Sequence, residues 1–195
     1  MFAAYGIKAV RMDDIAHELG VSKRTLYELF GDKETLLYEA MMHLFSSKRE
    51  EHVRIAEGAD NILEAMFMVL SRIMQEAPLH TRLTTNLQKF YPEVFRRVKE
   101  QGVEQNYRGL RKLIEEGIAQ GFFVDWMDID LTIAIFCGAA RSLKGSDDKI
   151  AIPQGMSEVK VFRQIVPPLF RGIGTDKGRE LIDCYAGHYL NNESE

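Results

Sequence analysis

The chain has 195 residues, enough to bury a core, and its 46% hydrophobic and 28% charged content is ordinary for a globular protein. A formal charge of −4 gives no global sign of a polyanionic partner. Two cysteines without framework spacing, Cys137 and Cys184, suit a reducing compartment better than a disulfide scaffold.

The chain opens on "MFAAYG", which lacks the basic start and cleavage site of a signal peptide. Next comes "MDDIAHELGVSKRTLYELFGDKETLLYEA", residues 12–40, where two short apolar rhythms are broken by "LGVS". Two helices crossing at roughly 90–120° through a short turn need a residue that tolerates positive φ, and Gly20 supplies it. Ala16 is small enough for close approach, between Ile15 and Leu19, and Val21 is expected to plug the corner. Leu26, Leu29 and Phe30 predict the buried stripe of the second helix, and Ser22 its N-cap. Lys23, Arg24, Thr25, Tyr27 and Glu28 are left off that stripe, near the helix N-terminus, where a recognition helix reaches base edges. Gly20 alone would suit any helical hairpin, and Arg24 with Glu28 would suit an ordinary surface ion pair. The joint register of Ile15, Ala16, Leu19, Gly20, Val21 and Leu26 favours a helix-turn-helix.

Charge in this region is modest. Residues 1–27 carry Lys8, Arg11, Lys23 and Arg24 against Asp13, Asp14 and Glu18, a balance of +1. Weak nonspecific affinity for DNA is therefore expected, with specificity resting on a few base contacts.

Helical punctuation continues to the end. A helix over 33–57 is expected, capped by Asp32 and ended by Gly58; the next is capped by Asp60 and stops before Pro78, with a short helix over 79–90 behind it. Pro92 suits the first position of a long helix to about Gln120, closed by a left-handed Gly121. Asp130 caps a helix over 131–144, "KGSDDKIAIPQG" reads as a loop, and Pro167-Pro168 should bend or interrupt a helix over 157–172. Thr175 caps a last helix ending near Leu190, before a polar tail. The expectation is all-α.

Nothing points to catalysis. His17, His43, His52, His80 and His188 lack metal-site pairing, so no metal is expected. "RGIGTDKG" lacks phosphate-loop spacing and context, and the pairs Glu115-Glu116 and Asp147-Asp148 read as solvated surface. No enzyme activity and no cofactor are expected. The longest apolar run, "LTIAIFCGAA", is about half of the ~20 residues needed to span a membrane. A cytoplasmic protein without membrane partners is the expectation.

The stretch "MDDIAHELGVSKRTLYELFGDKETLL" resembles the DNA-binding signature of the tetracycline-repressor (TetR) family of bacterial regulators, over roughly residues 2–45. Ile118, Gly121, Phe123 and Asp130 resemble that family's ligand-domain junction, and "LFRGIGTDKGRELID" looks like a subgroup of it. The resemblance implies base reading by Lys23, Arg24 and Thr25 and phosphate contacts by Tyr27 and Lys33, with a phosphate-seeking role for Arg11. Leu29 stands where family members often carry a second aromatic.

The resemblance also implies a division into residues 1–45, a helix-turn-helix domain with its first helix truncated, and 46–195, a helical ligand-binding and dimerisation domain. It further implies a homodimer through 130–144 and 157–172, and an effector pocket among helices four to seven, partly lined by Phe67, Phe90, Tyr91 and Tyr107. Gly138, Ala139 and Ala140 permit close helix approach there. The function implied is a ligand-responsive regulator, a repressor released from a palindromic operator by a small apolar or aromatic effector. The alternative is a helical dimeric interaction protein of the same fold that has lost DNA binding.

Overall fold

Several helices of this chain begin or end where a side chain or a left-handed glycine satisfies the free backbone groups. The computed structural model describes residues 1–143 and 157–190; Lys144, the stretch "KGSDDKIAIPQG" with Asp147 and Asp148, and the polar tail lie outside the described residues. In chain order the helices are α1 (Phe2–Tyr5), α2 (Met12–Glu18), α3 (Lys23–Phe30), α4 (Lys33–Ala56), α5 (Ile62–Phe90), α6 (Pro92–Ala119), α7 (Ile129–Leu143), α8 (Glu158–Gly172) and α9 (Asp176–Tyr185). A π-helical turn, Ala186–Leu190, continues α9. Among the described residues no strand forms; Phe123 and Gly174 make one isolated bridge.

Several caps sit where the sequence places them. Asp32 Oδ1 accepts from the Thr35 amide at 2.7 Å and opens α4. Pro92 is the first residue of α6. Thr175 Oγ1 accepts from the Gly178 amide at 3.1 Å and opens α9. Gly121, at φ +73°, ends α6: its amide donates to Ile118 and that of Phe122 to Gly117, both reverse bonds expected of a left-handed C-cap.

Three expectations are corrected. Pro78 does not stop a helix, because α5 runs through it to Phe90. Met74 on one side, with Leu83 and Leu87 on the other, bury enough apolar surface to offset the missing hydrogen bond. Pro167 and Pro168 do not interrupt α8, which runs through both between buried Val161 and Phe170. The caps assigned to Asp60 and Asp130 belong to their neighbours. Asn61 Oδ1 accepts from the Leu63 and Glu64 amides at 3.1 Å, and the Asp60 amide instead donates to Glu64. Asp128 Oδ1 accepts from the Leu131 amide at 2.9 Å, which leaves Asp130 free to pair with Arg111 and accept from the Tyr107 hydroxyl.

The chain divides into two compact units. The first comprises Met1–Glu51 and Gln75–Gln105. Its α2 and α3 pack with α4 around Val10, Met12, Ile15, Ala16, Leu26 and Leu36. A second cluster in the same unit joins Ile7, Leu37 and Met41 to Leu87, Val94 and Val98 of the α5–α6 corner. The other unit comprises His52–Met74 and Asn106–Glu195, and its core joins Leu63, Met66, Phe67 and Met74 to Phe122, Phe123, Val166, Phe170 and Ile182.

In this second unit the loop after α6 meets the loop after α8. The Val124 amide donates to Ile173 at 3.0 Å and the Thr175 amide to Phe122 at 2.9 Å. Gly178 lets α9 start against that junction: a Cβ there would lie 1.9 Å from the Phe122 carbonyl oxygen. Backbone cannot swing aside as a side chain can. Gly178→Ala should therefore destabilise the protein by ~1–3 kcal/mol or more, read as a lowered urea midpoint; an unchanged midpoint would show that the junction is loose.

Candidate nucleic-acid interface

The turn between α2 and α3 is a left-handed C-cap. Gly20 sits at φ +66°, its amide donates to His17 at 3.1 Å, and the Val21 amide donates to Ala16 at 3.0 Å. Two residues on, Ser22 takes up an extended conformation and its Oγ accepts from the Thr25 amide at 3.0 Å. One helix is thus closed and the next opened within four residues. Buried Ile15 and Ala16 of α2 meet buried Leu26 of α3 behind the turn.

Val21 and Leu29, both expected inside, are outside. Val21 and Leu19 are exposed, so Ile15, Ala16 and Leu26 close the corner instead. Leu29 is 70% exposed. On a helix of about 100° per residue, Leu29 lies about 60° to one side of Leu26 and Phe30 about 40° to the other. Only the Phe30 side meets the core, where it packs with Leu26.

Lys23, Arg24, Thr25, Tyr27 and Glu28 all lie exposed on α3. Most of their polar groups have intramolecular partners. Lys23 Nζ pairs with Asp13 of α2 at 2.7 Å and sits 6.0 Å from the Tyr27 ring centroid. Its hydrogen bond to Asp13 holds the ammonium pKa above the ordinary lysine value. Arg24 Nε pairs with Glu28 at 2.8 Å, and the Thr25 hydroxyl shares a hydrogen bond with Ser22 at 2.8 Å. Pairs this exposed are weak in water, so they can exchange for base or phosphate partners at little cost. Helix spacing announces the Arg24–Glu28 pair. Spacing cannot announce Asp13 with Lys23, which belong to different helices.

Arg11 is exposed ahead of α2, and its amide donates to the Asp14 carboxylate at 2.8 Å. Lys33 is half-buried, with Nζ donating to the Ile7 carbonyl at 2.8 Å and lying 5.3 Å from the Tyr91 ring centroid.

The four aromatic residues assigned to a pocket divide between the units. Phe90 and Tyr91 belong to the first, Phe67 and Tyr107 to the second. Phe67 is fully buried in its core, while the Tyr107 hydroxyl is engaged by Asp130 and Arg111. The Phe90 ring faces Lys8 and Lys89 at 5.2 and 5.3 Å. Among the described residues no three His, Cys, Asp or Glu side chains gather as metal ligands, and no helix is long and apolar enough to cross a membrane.

Residues 1–41 match the model for "Bacterial regulatory proteins, tetR family". No curated protein matches the chain in sequence. Several solved structures share its fold. The ketosteroid transcriptional regulator KstR2 of Mycobacterium tuberculosis is 19% identical, with a TM-score of 0.55 over 90% of each chain. The fatty acid degradation regulator FadR of Bacillus halodurans is 14% identical, with a TM-score of 0.56 over 100% of this chain and 91% of that one. A transcriptional regulator of Saccharomonospora viridis, solved in complex with choline, is 20% identical, with a TM-score of 0.53 over 96% and 90%. The helix-turn-helix head, on a chain that is helical without strands among the described residues, supports a DNA-binding transcriptional regulator. That head, residues 1–41, is the part of the chain that matches the tetR family of bacterial regulatory proteins.

Proposed function

We propose that the protein is a ligand-responsive repressor that binds a palindromic operator as a homodimer. The observation that carries this reading is the exposed N-terminal face of α3, with Lys23, Arg24, Thr25, Tyr27 and Glu28 on a Ser22-capped helix. Lys23 and Arg24 reach guanine acceptors in the major groove, Tyr27 and Arg11 take phosphates, and residues 46–195 bind effector and partner.

Dimerisation through 130–144 and 157–172 is supported by α7, where Leu131 and Ile135 lie one turn apart and are 62% and 57% exposed. Such a row of apolar side chains is what a second copy would cover. The effector is a small apolar or aromatic molecule; the choline complex of the Saccharomonospora viridis regulator shows a protein of this fold holding a small ligand. Release follows if the effector binds one arrangement of the dimer better than the one that fits DNA.

Arg24→Ala should cost ~1–3 kcal/mol of operator affinity and relax preference at one position per half-site. Binding of the unmodified and substituted protein to the promoter region, followed across salt concentrations, checks this, and identical affinity and sequence preference would remove Arg24 from the reading set. Light scattering should give twice the chain mass at micromolar concentration, and Leu131→Glu with Ile135→Glu should halve it. A monomeric unmodified protein would contradict the dimer.

A further inference from the structure

The α5–α6 corner is basic in a chain that is not. Residues 82–99 carry Arg82, Lys89, Arg96, Arg97 and Lys99 against Glu93 alone, a balance of +4, while the whole chain stands at −4. Glu93 is taken by Arg96, which also holds Glu100 of the same helix. The neighbouring cations find uncharged partners. Arg82 donates to the Ala3 carbonyl, Arg97 stacks on Tyr38 at 4.0 Å, and Lys99 lies 6.0 Å from the Phe95 ring centroid.

Lys8 and Lys33 join this corner from elsewhere in the same compact unit. Lys8, between α1 and α2, and Lys89, near the end of α5, are exposed and face one ring, that of half-buried Phe90, at 5.2 and 5.3 Å from its centroid. Lys33, the first residue of α4, lies 5.3 Å from the adjoining Tyr91 ring and donates to the Ile7 carbonyl, next to Lys8, at 2.8 Å. An ammonium has three donors, so that bond leaves two. A ring carries no net charge, and among the described residues no carboxylate pairs with Lys8, Lys33 or Lys89. Three uncompensated charges gather at Phe90 and Tyr91.

We propose that Lys8, Lys33 and Lys89 form a second DNA contact, beyond the α2–α3 pair, which holds backbone phosphates beside the groove that α3 enters. The proposal rests on the regulator reading above. Place decides the partner. α3 ends at Phe30, and only Gly31 and Asp32 separate it from Lys33, so the cluster stands next to the recognition helix. Ammonium groups lack the planar fork of a guanidinium and suit phosphate as point charges. Each phosphate they neutralise releases counterions whatever the base sequence. The balance of +1 over residues 1–27 leaves out Lys33 and Lys89, which come later in the chain. The α5–α6 corner supplies grip and α3 supplies choice.

The test uses the full chain, a duplex that the unmodified protein selects from a random-sequence library, and a heterologous duplex of equal length. Lys8→Met with Lys89→Met should weaken binding to both duplexes by the same factor, roughly tenfold or more, and make the salt slope smaller by about two per subunit. The ratio of the two affinities, which base contacts set, should hold within about twofold. Lys8→Arg with Lys89→Arg keeps the charge and should keep both affinity and slope. Lys112→Met removes an exposed charge from α6 in the second unit and should change neither. Ethylation of flanking phosphates should interfere with binding by the unmodified protein at positions where it no longer does so after the double substitution. Unchanged affinity and slope in Lys8→Met with Lys89→Met would overturn the site, as would a loss confined to the selected duplex. An equal loss per charge in Lys112→Met would overturn it too. A protein that selects no duplex at all would overturn the regulator reading, and this site with it.

Discussion

The hydrogen bond from the Val21 amide to the Ala16 carbonyl is the interaction on which the DNA-binding head depends. It forms only if the residue before Val21 is left-handed, and Gly20 adopts that conformation without the steric cost a Cβ would bring. The bond reverses the chain tightly enough for Ser22 to begin a new helix at once. A buried Ala16 leaves room for that helix to close on α2 through Leu26. With α2 and α3 locked together, the exposed side of α3 follows as a consequence. The same device recurs in the second unit, where Gly121 turns the chain so that the loop after α6 can pair with the loop after α8.

Electrostatics enters as a second layer. Several cations of the head already have partners inside it. Lys23 and Arg24 hold Asp13 and Glu28, while Lys8 and Lys33 face the rings of Phe90 and Tyr91. Phosphate contacts add affinity through counterion release whatever the sequence, so discrimination must come from base contacts. Exposed ion pairs suit such a task. They keep the reading side chains soluble and roughly placed, yet they exchange readily when a better partner arrives.

What the sequence disclosed was local. Gly20, Ser22, Asp32, Pro92, Gly121 and Thr175 act within three or four residues of themselves, and each is found at the place its chemistry suggests. What it concealed was tertiary. Pro78 reads as a stop because its missing amide is local, whereas the burial of Leu83 and Leu87 that carries α5 past it is not. Asp60 and Asp130 are as good caps by composition as Asn61 and Asp128; helix starts shifted by one or two residues decide between them. Leu29 fits an apolar period, but a helix of eight residues meets its core along a single line. Lys33 bonds a carbonyl 26 residues away, which no spacing rule reaches.

The central claim is that α3 lies in the major groove with its N-terminal residues against base edges. Dimethyl sulfate protection of guanine N7 tests it most directly, because that atom faces only the major groove. The account predicts protected guanines in two related clusters, their centres separated by about one or two helical turns of ~10–10.5 base pairs, and loss of protection at one position per cluster in Arg24→Ala. Tight binding to the same duplex with every guanine N7 as reactive as in free DNA would contradict it.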